Sequence, residues 1–366
     1  MKTFKYRLKP NTMQTAALEQ QLRECARLYN AAIEERKAAW QKRRKSISEY
    51  DQTAQLKDIR ADGTMGIQGF KPAQEVLKRV DLAFQAFFRR LKAGQTPGYP
   101  RFKSWRRYES FSYLNCPEVP RIKDGRLLLQ GMGSIKIVYH RPVEGHVKKI
   151  TIKREAGYWF ACFVAESPAH PLPPSVEQTG VDVGLEAFAT LSDGTRIDNP
   201  RYFQHAEAEL RRCQRRVARR RKGSHRRRKA IVLLQRAHLH VRQQRRGFQH
   251  RAARDLVNRY GLIAVEDLNI KGMASGMLAK GVHDVGWGTF LKMLEDKAEE
   301  AGRQVVKVDA RGTSQTCPCG AAVPKALGDR WHLCDACGLS IPRDHVTAKM
   351  ILQRAKVILQ RAGARI

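Results

Sequence analysis

The stretch GVDVGLEAFATLSDG, Gly180–Gly194, decides the fold of this chain. Its first five residues alternate, with two valines on one face and Asp182 alone on the other, which is the period of a β-strand. A second apolar run, Phe188–Leu191, follows, and Ser192-Asp193-Gly194 is typical of a hairpin turn. Burying the Asp182 carboxylate without a partner costs roughly several kcal/mol. Local backbone donors are one way to satisfy it, but two later acids in similar settings favour a metal site.

The composition indicates a partner with many negative charges. The 366 residues suffice for two or three domains and carry 69 Lys and Arg against 35 Asp and Glu, a formal net charge of +34. Nucleic acid is the polyanion best suited to neutralise such an excess. A membrane surface is the rival, but no run of about 18 apolar residues occurs and the N-terminus lacks the apolar core of a signal peptide. We therefore expect an intracellular nucleic-acid-binding protein with no membrane partner.

The first half of the chain predicts a helical insert within a β-rich domain. Thr3–Leu8 alternates like a strand, and helical spacing then runs from Met13 to about Arg43. A polar stretch, Arg44–Thr64, separates this helix from a second one over Pro72–Leu91. Beyond residue 95 the pattern is β, and the Pro-rich segment at 171–174 predicts a domain boundary. Four further strands, which suggest a small barrel, are predicted over Leu127–Leu129, Ile135–Tyr139, Lys148–Lys153 and Tyr158–Ala165.

Aromatic and basic residues interleave between Tyr99 and Tyr113. Aromatic rings between cations can stack on bases while the cations neutralise phosphates, so Arg101 and Lys103 are candidate nucleic-acid contacts. The alternative, which is the commoner outcome, is that half of these aromatic side chains form the core-facing side of strands.

The strongest charge signal lies in Arg211–Arg254, which contains eighteen Lys or Arg and no acid. Apolar residues keep a helical stripe on both sides of Gly223, which predicts two long helices joined there. A run of charged residues usually forms a solvated surface. Cations at this density without acids instead favour binding to a phosphate backbone. The candidate contacts are Arg219, Arg220, Arg221, Lys222, Arg226, Arg227, Arg228 and Lys229.

Two further acids follow elements that predict convergence with Asp182. The run Tyr260–Glu266 has the continuous apolar pattern of a buried parallel strand, and Glu266 stands at its carboxyl end, where ligands bind in open sheets. Asp267 is the competitor for that role. Asp344 falls in the first turn of a C-terminal helix, where the helix dipole favours an anion. Three carboxylates so placed are suited to two divalent cations, Mg²⁺ or Mn²⁺, which activate water and stabilise the leaving oxygen of a phosphodiester.

Four cysteines cluster near the C-terminus while the other four are scattered, a pattern of one metal site in a reducing compartment. Cys334-x-x-Cys337 is a normal half of a zinc ribbon, and Cys317-x-Cys319 is a half shortened by one residue around Pro318. Four thiolates in two such pairs predict one closed, structural Zn²⁺ site. His332 is an alternative ligand, and four buried thiols without a metal are the other interpretation.

Together these motifs resemble the TnpB family of insertion-sequence-encoded proteins, which are similar to the type V CRISPR effector nucleases. The resemblance rests on GVDVGLEAFAT, VEDLNI, the TSQTC–CG–C-x-x-CG segment and Arg343-Asp344-His345, with KYRLKPN, PRFKSW and GSHRRRK extending it over essentially the whole chain. It implies an α/β plus β architecture: an RNase H-like (RuvC) nuclease domain interrupted by a zinc ribbon, preceded by a wedge-type β-barrel with a helical recognition insert. The implied bounds are 1–12 and 95–170 for the barrel, 13–94 for the insert, 175–312 and 339–366 for the nuclease with basic helices at 205–259, and 313–338 for the ribbon.

The resemblance also implies an activity and its partners. The family uses an RNA guide transcribed from the element's end and cuts double-stranded DNA beside a short target-adjacent motif, with a single RuvC centre. In this chain the centre would consist of Asp182, Glu266 and Asp344. A monomer in the prokaryotic cytoplasm, associated with the nucleoid when bound to DNA, is the expected setting.

Two departures from the family pattern bear on activity. The last motif commonly reads Asp-Arg-Asp-His-Asn-Ala-Ala, and here Pro342, Val346 and Thr347 replace three of its residues while Asp344 is retained. The short first cysteine pair is the second departure. Two rival functions therefore stay open at this stage: guided DNA binding without cutting, and DNA strand transfer by a transposase.

Overall fold

The protein, described by a computed structural model over residues 1–114, 122–276, 279–326 and 328–363, divides into two units, Met1–Pro168 and Ala169–Ile366. The division lies beside the Pro-rich segment at 171–174. Within those ranges, no helix has the length and apolar character that a membrane crossing requires. Both units mix helices with sheet, as the sequence predicts.

A seven-stranded antiparallel sheet forms the base of the first unit. Strand β1 is central because it pairs with β7 on one side and β5 on the other, and its alternate residues Phe4, Tyr6 and Leu8 are buried. The order is β2-β6-β7-β1-β5-β4-β3. The bounds are β1 Lys2–Lys9, β2 Ser110–Leu114, β3 Ile122–Lys123, β4 Arg126–Leu129, β5 Gly133–Val138, β6 His146–Glu155 and β7 Tyr158–Glu166.

Three helices fill the chain between β1 and β2: α1 Thr12–Arg43, α2 Glu49–Ala61 and α3 Phe70–Lys92. The first and third confirm the two predicted helices. Helix α2 lies in the stretch that the sequence marks only as polar. The sequence does not reveal it because the helix buries only Gln52 and Leu56, which leaves little apolar periodicity. Its start is defined by a capping box, in which Ser48 and Asp51 bond each other's backbone N–H groups.

The second unit is built on a mixed five-stranded sheet in the order β10-β9-β8-β11-β12. The predicted hairpin is confirmed as β8 and β9, while β11 lies parallel to both β8 and β12. The turn after β9 uses Gly194 at φ +89°, a conformation that glycine adopts without strain. The bounds are β8 Gln178–Val183, β9 Ala187–Leu191, β10 Arg196–Asp198, β11 Leu262–Asp267 and β12 Gln304–Asp309, with a separate pair β13 Trp331–Leu333 and β14 Ser340–Pro342.

Helices cover both faces of this sheet. Alternate strand residues such as Val181 and Val265 pack with α5 and α8, whereas Ala264 and Val308, which point the opposite way, pack with α9. The predicted pair of basic helices is confirmed as α4 and α5, with Gly223 between them at φ +83°. The helices are α4 Tyr202–Ala218, α5 His225–Arg259, α6 Ile270–Met273, α7 Ala279–Val285, α8 Trp287–Glu300 and α9 Arg343–Arg361.

Helix α9 crosses β8 in direct backbone contact at Gly180. A Cβ atom on Gly180 would lie 2.0 Å from the Ala348 carbonyl oxygen and 2.8 Å from the Leu352 amide nitrogen. Both atoms belong to the helix backbone, so they cannot rotate away as a side chain can. Glycine is therefore required at this position by close approach rather than by a turn.

We expect Gly180→Ala to lower the free energy of unfolding of the second unit by at least about 1–3 kcal/mol, because the added methyl forces α9 off the sheet. Gly247→Ala is the control, since the nearest atom to its new Cβ is the end of the flexible Arg251 side chain at 3.7 Å. Urea unfolding, with hydrogen exchange over 178–183 and 343–361 to localise the loss, measures the effect. Equal stability of the two variants would contradict the contact.

Candidate metal centre and nucleic-acid surfaces

Sheet register places Asp182 beside Glu266. Val181 on β8 is aligned with Val265 on the parallel strand β11, and each acid is the next residue along its strand. Successive side chains of a strand point to opposite faces. Because both valines pack on the α5 and α8 side, both carboxylates point to the face that α9 covers.

Asp344 reaches the same place from α9. It lies in the first turn of the helix, one turn before Ala348, and Ala348 is the residue that contacts Gly180 on β8. Gly180 in turn precedes Asp182 by two positions and so shares its face of the sheet. The next residue, His345, has its Nε2 atom 3.1 Å from the Ser192 carbonyl oxygen, which ties the first turn of α9 to the hairpin.

The other two carboxylates make ionisation of Asp182 more costly. The pKa of Asp182 is raised well above its ordinary value, first by burial and then by the charges of Glu266 and Asp344, while the Arg343 guanidinium opposes the shift. Like charges held together and partly removed from water favour protonation unless a cation joins them. Oxygen donors of this kind are the ligands that Mg²⁺ and Mn²⁺ prefer.

Glu266 has its own set of neighbours, which the sequence analysis missed. The buried Thr313 hydroxyl lies 2.6 Å from Glu266 Oε1 and 2.9 Å from the Ala310 carbonyl oxygen. Burial raises the pKa of Glu266, and the Thr313 bond and the Arg354 charge oppose that rise. The available signal was position: Thr313 follows the end of β12 by four residues, and Arg354 lies on the helix that carries Asp344.

The competing acids point elsewhere. Asp267 is exposed and aligned with Asp309 on β12, and both occupy positions that alternate away from the α9 face. Asp309 instead accepts a hydrogen bond from the Arg311 backbone amide at 3.0 Å. The structure gathers Asp182, Glu266 and Asp344 and leaves Asp267 outside that group.

The four clustered cysteines have the geometry of a tetrahedral zinc site. Their sulfur atoms all lie within 4.8 Å of one another, with Cys317 Sγ 3.6 Å from Cys337 Sγ and Cys319 Sγ 3.7 Å from Cys334 Sγ. Tetrahedral Zn²⁺ with bonds of about 2.3 Å requires sulfur separations of about 3.8 Å. Within the described ranges, no other group of three or more potential ligand residues lies this close together. The carboxylate oxygens of Asp182, Glu266 and Asp344 are therefore not all within 4.8 Å of one another.

The shortened cysteine pair closes like the normal one. Gly320 donates to the Cys317 carbonyl oxygen and Gly338 donates to that of Cys334, both at 2.8 Å. Both glycines have positive φ, +94° and +70°. The turn at Cys317–Cys319 is one residue shorter than the turn at Cys334–Cys337, and the Cys319 sulfur still lies within the cluster.

His332 does not join the four sulfur atoms. It is fully buried, and its Nδ1 lies 2.6 Å from Lys325 Nζ. The cysteine segment also holds the start of α9, because the Arg343 amide donates to the Arg330 carbonyl oxygen at 2.9 Å and its side chain reaches the Asp329 carbonyl oxygen. Folding of this segment therefore affects the position of the neighbouring Asp344.

The candidate phosphate contacts at the α4–α5 junction are open to solvent. Seven are exposed, namely Arg219, Arg220, Arg221, Lys222, Arg226, Arg228 and Lys229, and Arg227 is half-buried. Among the residues that the structure describes, none of these eight side chains forms an ion pair. Ser224 caps α5 by accepting a bond from the Arg227 amide at 3.1 Å, so the turn is well defined.

The aromatic side chains between Tyr99 and Tyr113 divide between the two predicted roles, the core-facing side of strands and an exposed nucleic-acid contact. Tyr108, Phe111 and Tyr113 are buried in the core of the first unit, whereas Tyr99 and Phe102 are exposed. Arg101 is exposed, and the exposed Lys103 holds its ammonium group 4.6 Å from the centre of the Tyr29 ring.

Three family models match the chain. One described as "Probable transposase" covers residues 160–276, one described as "Cas12f1-like, TNB domain" covers 287–351, and one described as "Helix-turn-helix domain" covers 1–45. In this structure the last segment holds β1 and the single helix α1 rather than two helices joined by a turn.

Relatives match nearly the whole chain. A Streptomyces pristinaespiralis protein described as "Putative RNA-guided DNA endonuclease" is 31% identical over 96% of this chain and 88% of its own length. An Escherichia coli K12 protein described as "Putative RNA-guided DNA endonuclease InsQ" is 27% identical over 98% of this chain and 93% of its own. The solved "Cas12f1-sgRNA-target DNA complex" is 16% identical over 96% of this chain and 98% of that one, with a TM-score of 0.36.

We expect the purified protein to hold about one zinc per chain and Cys334→Ser to lose it, because a closed site with one sulfur removed no longer completes a tetrahedron. Cys213→Ser, at a half-buried cysteine outside the cluster, is the matched control. Elemental analysis by mass spectrometry is the measurement. Zinc-free wild-type protein, or full zinc in Cys334→Ser, would contradict the assignment.

Proposed function

Since this chain belongs to the TnpB family of insertion-sequence-encoded RNA-guided DNA endonucleases, we propose that it cuts double-stranded DNA at sites selected by a guide RNA. The observation that carries the proposal is the convergence of Asp182, Glu266 and Asp344. They meet at the carboxyl ends of β8 and β11, on the face of the sheet that α9 covers. The surplus of cations at the α4–α5 junction supports a nucleic-acid partner.

The three acids would hold two Mg²⁺ or Mn²⁺ ions. Bound there, the ions would supply a nucleophile from water at neutral pH and stabilise the leaving oxygen of the phosphodiester. Asp182 and Glu266 would offer oxygens from adjacent strands and Asp344 from the helix above them. Thr313 orients the Glu266 carboxyl, and the Arg354 charge favours its ionised form.

The departures in the last motif leave these ligands intact. Val346 lies on the buried face of α9, and the Thr347 hydroxyl donates to the Arg343 carbonyl oxygen at 3.0 Å within the same helix. Neither side chain takes the position of a carboxylate. Both are satisfied by packing or by a local hydrogen bond, which supports retained catalysis.

The proposed domain assignment follows from these roles. Segments 175–312 and 339–366 would form the RNase H-like RuvC domain, and 313–338 its zinc ribbon, which positions the start of α9. In the first unit, 1–12 and 95–170 would form the wedge domain around the seven-stranded sheet, and 13–94 the helical recognition insert. The guide would come from the element's end, and the target would carry a short adjacent motif.

Two other activities are outcomes of the same experiment. A guided binder without catalysis would retain the target but leave it uncut, and a strand transferase would act on transposon ends without any small RNA. Cleavage assays with and without the RNA that co-purifies with the protein distinguish the three. Guide-dependent double-strand breaks are the expected result.

We expect Asp182→Ala, Glu266→Ala and Asp344→Ala each to reduce cleavage by at least about a hundred-fold, because each removes oxygen ligands that stabilise charge in the transition state. Target binding should be retained in gel shifts. Asp267→Ala is the matched control, since this neighbour of Glu266 is exposed and points away from the site. Full activity in Asp344→Ala, or an equal loss in Asp267→Ala, would refute the three-acid assignment.

We expect simultaneous replacement of Arg219, Arg220 and Arg221 by Ala to flatten the slope of log affinity against log salt by about two to three, because each lost phosphate contact removes about 0.7–0.9 from the slope. The control removes three exposed cations outside the recognition insert and the basic helices, Lys292, Arg330 and Arg361, and lowers net charge equally. Filter binding from low to high salt provides the slopes. Matching slopes for the two triple variants would show that this turn is merely a solvated face.

A further inference from the structure

A groove of about 730 Å³ opens within the first unit between the last turns of α3 and the segment 97–107, which is irregular up to a short 3-10 helix at Trp105–Arg107. Its lining includes the aromatic rings of Phe87 and Phe102 and the cations Arg90, Arg101 and Arg107. Ala83, Ala86 and Gly98 leave room at its floor. No acid is among the lining residues, so the groove combines apolar planes with uncompensated positive charge.

The segment that forms one wall is held in place although only Trp105–Arg107, a single 3-10 turn, has regular structure. The Asn30 side chain accepts from the Lys103 amide at 2.8 Å and donates to the Lys103 carbonyl oxygen at 3.0 Å. Tyr99 packs edge-on against Phe84 and Phe87, with ring centres 5.5 and 5.4 Å apart. The wall is therefore preorganised between two anchors, with Arg101 and Phe102 between them.

The aromatic ring and the cations at the mouth of the groove are open to solvent. The side chain of Phe102 is 54% exposed. Over the described residues, Arg90, Arg101 and Arg107 are exposed and form no ion pair. An exposed ring beside unpaired guanidinium groups suits a ligand that is planar and apolar on one side and anionic on the other.

We propose that this groove binds one unpaired nucleotide of the guide RNA, with the base stacked on Phe102 and the adjacent phosphates on Arg101 and Arg107. Stacking on an aromatic ring requires a base that is not already stacked in a duplex. A guide RNA would offer such bases wherever it is not paired, whereas double-stranded target DNA offers none until it is opened. The identity of the RNA rests on the proposed function; the chemistry of the groove does not.

The test uses the full chain and, as its probe, the RNA that co-purifies with the wild-type protein, transcribed in vitro. Phe102→Ala should weaken RNA binding about five- to 150-fold, the usual loss for one stacked base, without changing the salt slope. Phe102→Trp should restore affinity and Phe102→Leu should not, because leucine retains apolar area but no ring. Arg101→Ala should instead lower the slope by about 0.7, the value for one single-strand phosphate.

Trp331→Ala, which removes a ring that is 57% exposed and lies outside the proposed recognition insert and wedge domain, is the control and should leave RNA affinity unchanged. Ultraviolet cross-linking of the complex, followed by mass spectrometry, should place a nucleotide adduct on Phe102. Full RNA affinity in Phe102→Ala overturns the proposal, as does restoration by leucine or an adduct that appears only with labelled DNA. These readouts do not depend on cleavage, so a complex that binds RNA through Phe102 but cuts no DNA would refute the endonuclease and not the groove.

Discussion

The backbone contact between Gly180 on β8 and Ala348 on α9 is the constraint on which the candidate metal centre depends. It sets how closely the helix approaches the sheet and which turn of the helix lies over which strand residue. Asp344, one turn before Ala348, then lies over the end of β8 that carries Asp182. A single Cβ atom at position 180 would break this relation while leaving every acid in the sequence unchanged.

The gathering of three acids has an electrostatic cost. Burial and the two neighbouring carboxylates raise the pKa of Asp182, so the ionised site opposes folding when no cation is bound. A site optimised for stability alone would replace one acid with an apolar residue. Thr313, Arg343 and Arg354 partly offset this cost, because each favours the ionised form of a neighbouring acid.

The cysteine segment and the metal centre are mechanically connected, because β14 runs directly into α9 and Arg343 bonds back to the carbonyl oxygens of that segment. Zinc at the four sulfurs would therefore stabilise the position of Asp344 without touching the reacting phosphate. The short first pair is compatible with this role, since Gly320 closes a turn one residue tighter than that of Gly338. This departure from the family pattern is thus accommodated by backbone geometry.

The sequence by itself determined the features that depend on local period and composition: the β8–β9 hairpin, the helices α1, α3 and α5, the excess of cations and the four-cysteine pattern. It named Asp182, Glu266 and Asp344 but left Asp267 as a rival, because a strand pattern does not say which face a neighbouring helix covers. It missed α2, whose two buried residues create no detectable period, and it missed Thr313. Tertiary structure decided these matters. Residues far apart in the chain are joined by strand register, by the close approach at Gly180 and by the contacts of Thr313 and Phe102. No local spacing in the sequence indicates such contacts.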